Sequence, residues 1–272
     1  MGIVPDSEDV AKAASGLADL AKEVPVYKDG SQPAVRELGD SLETVAKLVR
    51  VAITPVSVVV WGYEKIVEYI EPAIAKRLSK TPGDNMGTPS ALVAGPALEA
   101  LRYAGPQPLL RDMYANLLAN SIDKTTATMA HPSFVEVIKN LSSDEAKILT
   151  HLITVDDAVA MIEVRLTTKA TEAFDVLHHS FSHVGVAVGC EHKELVPSYI
   201  NNLARLGLIE VPESTFLAKK GSYSDLEKDP YVKQLEVDQN SKTHHITLQQ
   251  KAARLTDYGR QFCRACVVER VG

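Results

Sequence analysis

The sequence predicts a mainly α-helical protein with two parts: an N-terminal helical domain with a long kinked helix, and a C-terminal winged-helix-like α+β domain. Apolar residues recur every three or four positions between Ala34 and Lys80, which is the period of one helix face. Aromatic residues are only 6% of the 272 residues, while Ala, Leu and Val abound, which favours helix. After residue 141 the segments follow the order helix, helix, strand, return strand and closing helix, which is the winged-helix plan.

The N-terminal part is predicted as a short helix and linker over residues 1–33, followed by a helical domain over residues 34–141. The short helix covers Ser7–Glu23, and the linker is VPVYKDGSQP. In the long helix, Pro55 lacks a backbone donor and is expected to kink or split the helix, and Pro72 is expected to start a last turn. The apolar stripe of this helix consists of Val35, Leu38, Leu42, Val45, Val49, Val56, Val60, Tyr63, Val67, Ile70, Ile74 and Leu78.

Shorter helices complete the predicted helical domain. The segment TPGDNMGTPS interrupts regular structure because of its Pro, Gly and Asn residues. Pro96 suits the first turn of a helix that runs through Tyr103, and another helix is predicted from Pro108 to Ile122.

The C-terminal domain is predicted over residues 142–272 and begins with a capping box at Ser142 and Glu145. The hydroxyl and carboxylate of such a box satisfy free amide donors at the start of a helix, which is expected here to run to Thr154. The other predicted elements are a partly helical segment over Phe174–Val188, a helix over Glu194–Leu206, a strand over LIEVP, a short helix over Tyr223–Leu235, a strand over His244–Leu255 and a last helix capped by Thr256.

Composition and charge exclude several classes of protein. The 29 Lys and Arg against 35 Asp and Glu give a net charge of −6, unlike that of a strongly basic nucleic-acid binder. The longest apolar stretch, Val51–Trp61, has 11 residues, fewer than the roughly 18 of a membrane-spanning helix. The three cysteines are an odd number and no secretory signal is visible, so we expect a reducing, cytoplasmic setting.

No motif for enzymatic chemistry is present in the sequence. It lacks the nucleophile elbow, the phosphate-binding and dinucleotide-binding loops, and the metalloprotease and deaminase signatures. Asp156, Asp157 and Glu163 are close enough in sequence to be paired carboxylates, but we expect them at a solvated helix end. The protein is therefore predicted not to be an enzyme and to need no cofactor.

Histidine and cysteine residues recur in the C-terminal domain, and zinc sites commonly use these ligands. They are His179, His183, Cys190, His192, Cys263 and Cys266. The last two form a CxxC pair, but this pair lies within a predicted helix rather than on a knuckle. We therefore expect core or surface residues here, and no metal site.

Polar residues on the predicted helix over residues 108–122 are candidates for an interaction site. They are Arg111, Asp112, Asn116 and Asn120. The two asparagines are one helical turn apart, so we expect a polar network between helices, with a ligand site as the alternative.

Trp61 is a further candidate, because it ends the apolar segment Val51–Trp61. We expect this segment in the core or at a helix–helix interface. The alternative is a membrane contact, because a proline-kinked, valine-rich segment with a flanking Trp is able to dock at a bilayer surface.

The winged-helix plan also raises the alternative of DNA binding. The helix expected to read DNA, Glu191–Leu206, is nearly neutral, whereas phosphate contacts need basic side chains. Basic residues do cluster in the return strand and last helix, at Lys251, Arg254, Arg260 and Arg264. These four residues are candidate nucleic-acid contacts, and protein interaction is the favoured use of the domain.

Several stretches taken together resemble one known family. They are RYAGPQPLLRDMYANLLANSID, HPSFVEVIKNLSSDEAKIL, YINNLARLGLIEVP and LTDYGRQF. Their order and spacing are similar to the abortive infection alpha (Abi-alpha) family, over roughly Ala34 to Phe262. The resemblance implies a largely α-helical bacterial protein that acts in phage defence, in which infected cells stop growing or die. It supplies no catalytic residues.

The sequence thus leads to the hypothesis of a non-enzymatic phage-defence protein that acts by protein–protein contact. The partner is another protein or a second copy, with a homo-oligomer formed through the Val35–Leu78 stripe. The alternatives are a winged-helix DNA-binding regulator and a membrane-acting effector that uses Val51–Trp61.

Overall fold

A computed structural model describes residues 60–154 and 158–269 of the chain. The predicted helix and linker over residues 1–33, the first part of the apolar stripe and Pro55 lie outside the described residues, and so do Asp156 and Asp157. Within the described ranges, no helix is long and apolar enough to cross a membrane.

Helices dominate the described part of the chain, and four strands form one small sheet. The helices are α1 (Tyr63–Arg77), α2 (Ala91–Ala104), α3 (Pro108–Ile122), α4 (Ser133–Lys139), α5 (Ser143–Thr154), α6 (Val184–Ala187), α7 (Val196–Arg205), α8 (Ser224–Glu227), α9 (Pro230–Gln239) and α10 (Asp257–Phe262), which continues into a π-helix (Cys263–Val267). The strands are β1 (Ala158–Thr168), β2 (Phe174–Phe181), β3 (Ile209–Glu210) and β4 (His244–Leu255). The protein is therefore mainly α-helical, as the sequence predicts.

The sheet is antiparallel and has the strand order β2-β1-β4-β3. Its centre is the pairing of β1 with β4, which runs from Ala158 opposite Arg254 to Thr168 opposite His244. β2 pairs with the other side of β1 with two shifts in register, and β3 pairs with the end of β4. A small apolar core beside the sheet contains Ile162, Val164, Tyr223, Leu226 and Val232.

The first two strands differ from the sequence prediction. The helical start predicted for Phe174–Val188 is wrong, because Phe174–Phe181 forms β2 and only Val184–Ala187 is helical. β2 depends on pairing with β1, a partner that the prediction lacks. The signal for β1 is its sequence AVAMIEVRLTT, which is rich in β-branched residues and favours a strand.

Local signals place several other elements correctly. The capping box forms, because the Ser142 amide donates to Glu145 Oε2 at 2.6 Å and the Glu145 amide donates to Ser142 Oγ at 3.2 Å. Thr256 caps α10 by accepting a hydrogen bond from the Gly259 amide at 2.8 Å. The helix α3 and the strand β4 have the bounds that the sequence predicts.

Two prolines lie inside helices rather than at the start of a turn. Pro72 lies within α1, and α2 begins more than one turn before Pro96. The carbonyl oxygen of Ser90 already accepts hydrogen bonds from the amides of Val93 at 3.0 Å and Ala94 at 2.9 Å. The helix α2 is thus nucleated upstream of its proline, which removes one later hydrogen bond without ending the helix.

The helix α3 lies at the centre of the main core, and every residue from Met113 to Ser121 is buried. It contacts α1, α2, α4, α5 and the π-helix. The ring of Phe134 on α4 lies 5.4 Å from the ring of Tyr258 and 5.3 Å from that of Phe262, both on α10. One apolar cluster therefore contains residues from both sides of the expected boundary after residue 141, and the division into two domains stays a prediction.

A buried carboxylate fixes the start of α5 to the segment before α7. Asp144 Oδ1 accepts hydrogen bonds from Lys147 Nζ at 2.8 Å and from the Glu191 amide at 3.0 Å. Its Oδ2 accepts from the His192 amide at 3.0 Å and from the Tyr199 hydroxyl at 3.2 Å. Each oxygen of Asp144 thus has two donors from different parts of the chain.

These contacts set the protonation states of the groups involved. Burial alone would raise the pKa of Asp144, but the hydrogen bonds from the His192 amide and from Lys147 lower it well below its usual range. Burial, together with the hydrogen bond to Asp144, raises the pKa of Tyr199 to about 12. Asp144 is therefore ionised and Tyr199 neutral throughout the physiological range.

We expect Asp144→Asn to lower the free energy of unfolding by about 2 kcal/mol at neutral pH, since a charged acceptor of four hydrogen bonds becomes a neutral amide. Because folding lowers the pKa of Asp144, its contribution is complete above about pH 4 and is lost as the pH falls toward the folded-state value. Urea unfolding between neutral and acidic pH checks this, and the variant should show a flatter pH dependence. Asp225→Asn, an exposed carboxylate in the first turn of α8, is the matched control, and equal effects would contradict the account.

Candidate functional site

The polar residues predicted on α3 meet an arginine from α1. Arg77 is only 5% exposed, and its Nε donates to Asn116 Oδ1 at 2.5 Å. Its Nη2 donates to Asp112 Oδ1 at 3.1 Å, and its Nη1 donates to the carbonyl oxygen of Ala73 at 3.0 Å. The Tyr69 hydroxyl donates to the same oxygen of Asp112 at 2.6 Å. The arginine thus ties α1 to α3 through directed hydrogen bonds, as a buried guanidinium requires.

The asparagines of α3 extend this network to the end of the chain. Asn116 Nδ2 donates to the carbonyl oxygen of Cys266 at 2.7 Å. Asn120 Nδ2 donates to the carbonyl oxygen of Ala265 at 2.9 Å. The last carbonyl groups of a helix have no partner within it, and the two amides supply donors for such groups of the π-helix. The structure therefore brings Asp112, Asn116 and Asn120 together, as the one-turn spacing predicts.

The polar side chains of this network are hydrogen-bond partners of one another. Burial, the hydrogen bond to Asp112 and the charge of that carboxylate all raise the pKa of Tyr69, so its hydroxyl stays protonated. Arg77 is held by three acceptors, and Asn116 both accepts and donates. The arrangement contains no activated nucleophile or poised base, and it positions α1 and the π-helix against α3.

An open groove of about 690 Å³ borders the network on one side. It lies between α1, α3 and the C-terminal π-helix, and Asp112, which is about half exposed, contributes to its wall. Lys76 and Glu269 form an ion pair of 2.7 Å at this groove. Lys76, Arg77, Asp112 and Glu269, which all line the groove, are thus held in ion pairs.

Arg111 and Trp61 form a further contact, which shares Tyr69 with the network. The guanidinium of Arg111 lies 4.9 Å from the ring centre of Tyr69 and 5.8 Å from that of Trp61. Trp61 is only 8% exposed and packs so closely on Gly105 that a side chain at that glycine would clash with the indole. Trp61 therefore lies in the core of the described structure and is not presented to a membrane surface.

The apolar stripe of the first helix is likewise used internally where it is described. Ile70 and Leu78 are buried, and Ile74 packs against the main core. These three side chains are thus used within the protein and offer no free surface to a second copy.

The four basic candidates for nucleic-acid contact are mostly neutralised by carboxylates. Lys251 pairs with Glu163 at 2.7 Å, Arg254 with Glu210 at 2.8 Å, and Arg260 with Asp257 at 2.7 Å. Arg264 is exposed and has no ion-pair partner in the described part of the chain. The four residues do not present four free cations.

The expectation that Glu163 lies at a solvated helix end is wrong. It is only 5% exposed and lies in the middle of β1, where it also pairs with Arg165 at 2.6 Å. Burial alone would raise its pKa, but the hydrogen bonds from Lys251 and Arg165 lower it. Strand pairing with β4 is what brings Lys251 to this carboxylate, and the sequence spacing does not reveal that.

The histidines and cysteines are dispersed. The side chains of Cys190, Cys263 and Cys266 are buried, and burial raises the pKa of Cys266. His183 Nε2 lies 2.8 Å from Asp229 Oδ2, which is a pair rather than a cluster. Within residues 60–154 and 158–269, no group of three or more His, Cys, Asp or Glu side chains is arranged to hold a metal ion.

We expect Asn116→Ala to lower the free energy of unfolding by about 3 kcal/mol, because it leaves Arg77 Nε and the Cys266 carbonyl without their partners. Asn201→Ala, an exposed asparagine on α7, is the control and should change stability by less than about 0.5 kcal/mol. Thermal or urea unfolding measures both. Similar small losses for the two variants would show that the network contributes little.

Comparisons with known proteins assign the chain to a family. No curated protein matches the chain. An uncharacterized protein from the hydrocarbon-degrading marine bacterium Alcanivorax borkumensis SK2 is similar with a TM-score of 0.35 and 19% sequence identity, over 51% of this chain and 92% of that chain. The abortive infection alpha family matches residues 62–266, which include α3, the sheet and nearly all of the π-helix. The chain belongs to the abortive infection alpha family.

Proposed function

We propose that this protein acts in phage defence without catalysis, by binding a protein partner. Membership of the abortive infection alpha family associates it with phage defence. The main observation in favour of a mechanism without catalysis is that buried ionisable side chains pair with one another. Arg77 contacts Asp112, and Lys251 contacts Glu163, so these groups stabilise the fold.

The surface supports protein contact. Large apolar side chains are exposed on α2, where Leu92 is 71% and Tyr103 65% exposed. Exposed apolar side chains on one side of a helix suit contact with a protein partner. We therefore place the contact on the outer face of α2.

The C-terminal part supports a winged-helix-like scaffold in a structural or protein-binding role. Gly207, with a positive φ of 73°, ends the α7 segment and leads into β3, which pairs with β4. This is the helix-to-strand junction that the sequence predicts. DNA binding receives less support, because Lys251 and Arg254 are paired with carboxylates. We expect the protein to act in the cytoplasm, where its three buried cysteines stay reduced.

Phage plaque counts and survival of infected cultures test the proposal in cells that express the protein. The double variant Leu92→Glu and Tyr103→Glu should abolish protection, because it places charges on the proposed contact face. Val237→Glu, which alters a 75% exposed side chain on α9, should keep protection. Expression level and melting temperature of the purified proteins show that all variants fold.

A different pattern of phage protection among the variants would favour a catalytic mechanism. Loss of protection on His183→Ala, which removes one side chain of the half-buried His183–Asp229 pair, together with full protection by the α2 variant, would overturn the proposal.

A further inference from the structure

The outer face of α2 combines exposed apolar and charged side chains. Leu92, Leu98 and Tyr103 are 71%, 39% and 65% exposed. Glu99 and Arg102 are exposed between them. With a helical repeat of 3.6 residues, these positions share one side of the helix, opposite the buried Val93, Ala97, Ala100 and Leu101.

The two charges on this face are not used within the described structure. Glu99 and Arg102 are three residues apart, yet they form no ion pair with each other or with any other described residue. Opposite charges that remain unpaired beside apolar side chains suit a partner that carries the same two charges in reverse order.

A second copy of the same helix supplies that reversed order. When two α2 helices lie antiparallel about a two-fold axis that passes between positions 100 and 101, residue 99 of one copy faces residue 102 of the other. Glu99 then meets Arg102 twice, once on each side of the axis. Leu98 meets Tyr103 twice in the same way, so both the charges and the apolar side chains are self-complementary.

A hollow of about 390 Å³ lies beside this face. Tyr103, Leu110, Tyr114 and Ile138 are among the side chains that line it. Since Leu98 of a second copy faces Tyr103, its side chain comes to the mouth of this hollow. Apolar side chains that enter such hollows commonly provide much of the binding energy of an interface.

We propose that the partner is a second copy of this chain, bound through the part of the α2 face formed by Leu98, Glu99, Arg102 and Tyr103. The inference rests on the proposed function, in which the protein acts by protein contact. A single helix face buries less area than the roughly 800 Å² per partner of a standard interface. We therefore expect the fraction of dimer to rise with the protein concentration.

Charge reversal tests the pairing. Glu99→Arg places two arginines opposite each other, and Arg102→Glu places two glutamates opposite each other. Each single variant should weaken dimerisation by about tenfold or more, measured by light scattering or sedimentation over a range of concentrations. Glu213→Arg, at an exposed position outside the face, should dimerise as the wild type does.

Two combinations restore complementarity only if the partner is a second copy. The double variant Glu99→Arg/Arg102→Glu should dimerise again. A mixture of the two single variants should form heterodimers, because positions 99 and 102 then both carry arginine in one copy and both carry glutamate in the other. Melting temperatures of all variants show that a loss of dimer is not a loss of fold.

The outcomes separate this inference from the proposed function. A wild type that stays monomeric, or single variants that dimerise like it, would overturn the inference. Failure of both rescue combinations would also overturn it. A dimer with the expected charge pattern in cells without phage protection would instead contradict the proposed function and leave the dimer standing.

Discussion

The buried helix α3 carries asparagines whose amide groups must find hydrogen-bond partners inside the protein, and the described fold is arranged around that constraint. An unpaired polar group in a core costs about 1–3 kcal/mol, and a buried unpaired charge costs more. Asn116 meets this requirement by joining Arg77 of the first helix to the Cys266 carbonyl at the other end of the described chain. The first and last helices of the described structure are therefore fixed by the same side chain.

The side chains that stabilise the fold are different from those that are exposed on the face of α2. Ionisable groups that are buried, such as Asp144 and Glu163, are held by several donors and are best suited to fixing segments in place. The large apolar side chains of Leu92 and Tyr103 on α2 differ from them, since they are mostly exposed to solvent. The proposed contact mechanism uses this division, with a packed interior that fixes the fold and an outer helix face that is exposed to solvent.

Local features of the fold are predictable from the sequence, whereas long-range pairing is not. The capping box at Ser142 and the cap at Thr256 depend on residues within one helical turn, and the sequence predicts both correctly. It misses β1, although the β-branched residues of that segment favour a strand, and it misses the neighbouring β2, which pairs with β1. Nothing local indicates that β1 also pairs with β4, which is far away in sequence. At the site, the spacing of Asn116 and Asn120 indicates a network, but nothing local points to Arg77, which lies next to the apolar stripe of α1.

A double-mutant cycle between Arg77 and Asn116 tests the central claim most directly. The unfolding free energies of the wild type, Arg77→Ala, Asn116→Ala and the double variant give the coupling between the two side chains. We predict a coupling of about 2 kcal/mol, because either single change already leaves the other group without its 2.5 Å partner. Additive losses, with a coupling near zero, would contradict the claim that this contact organises the fold.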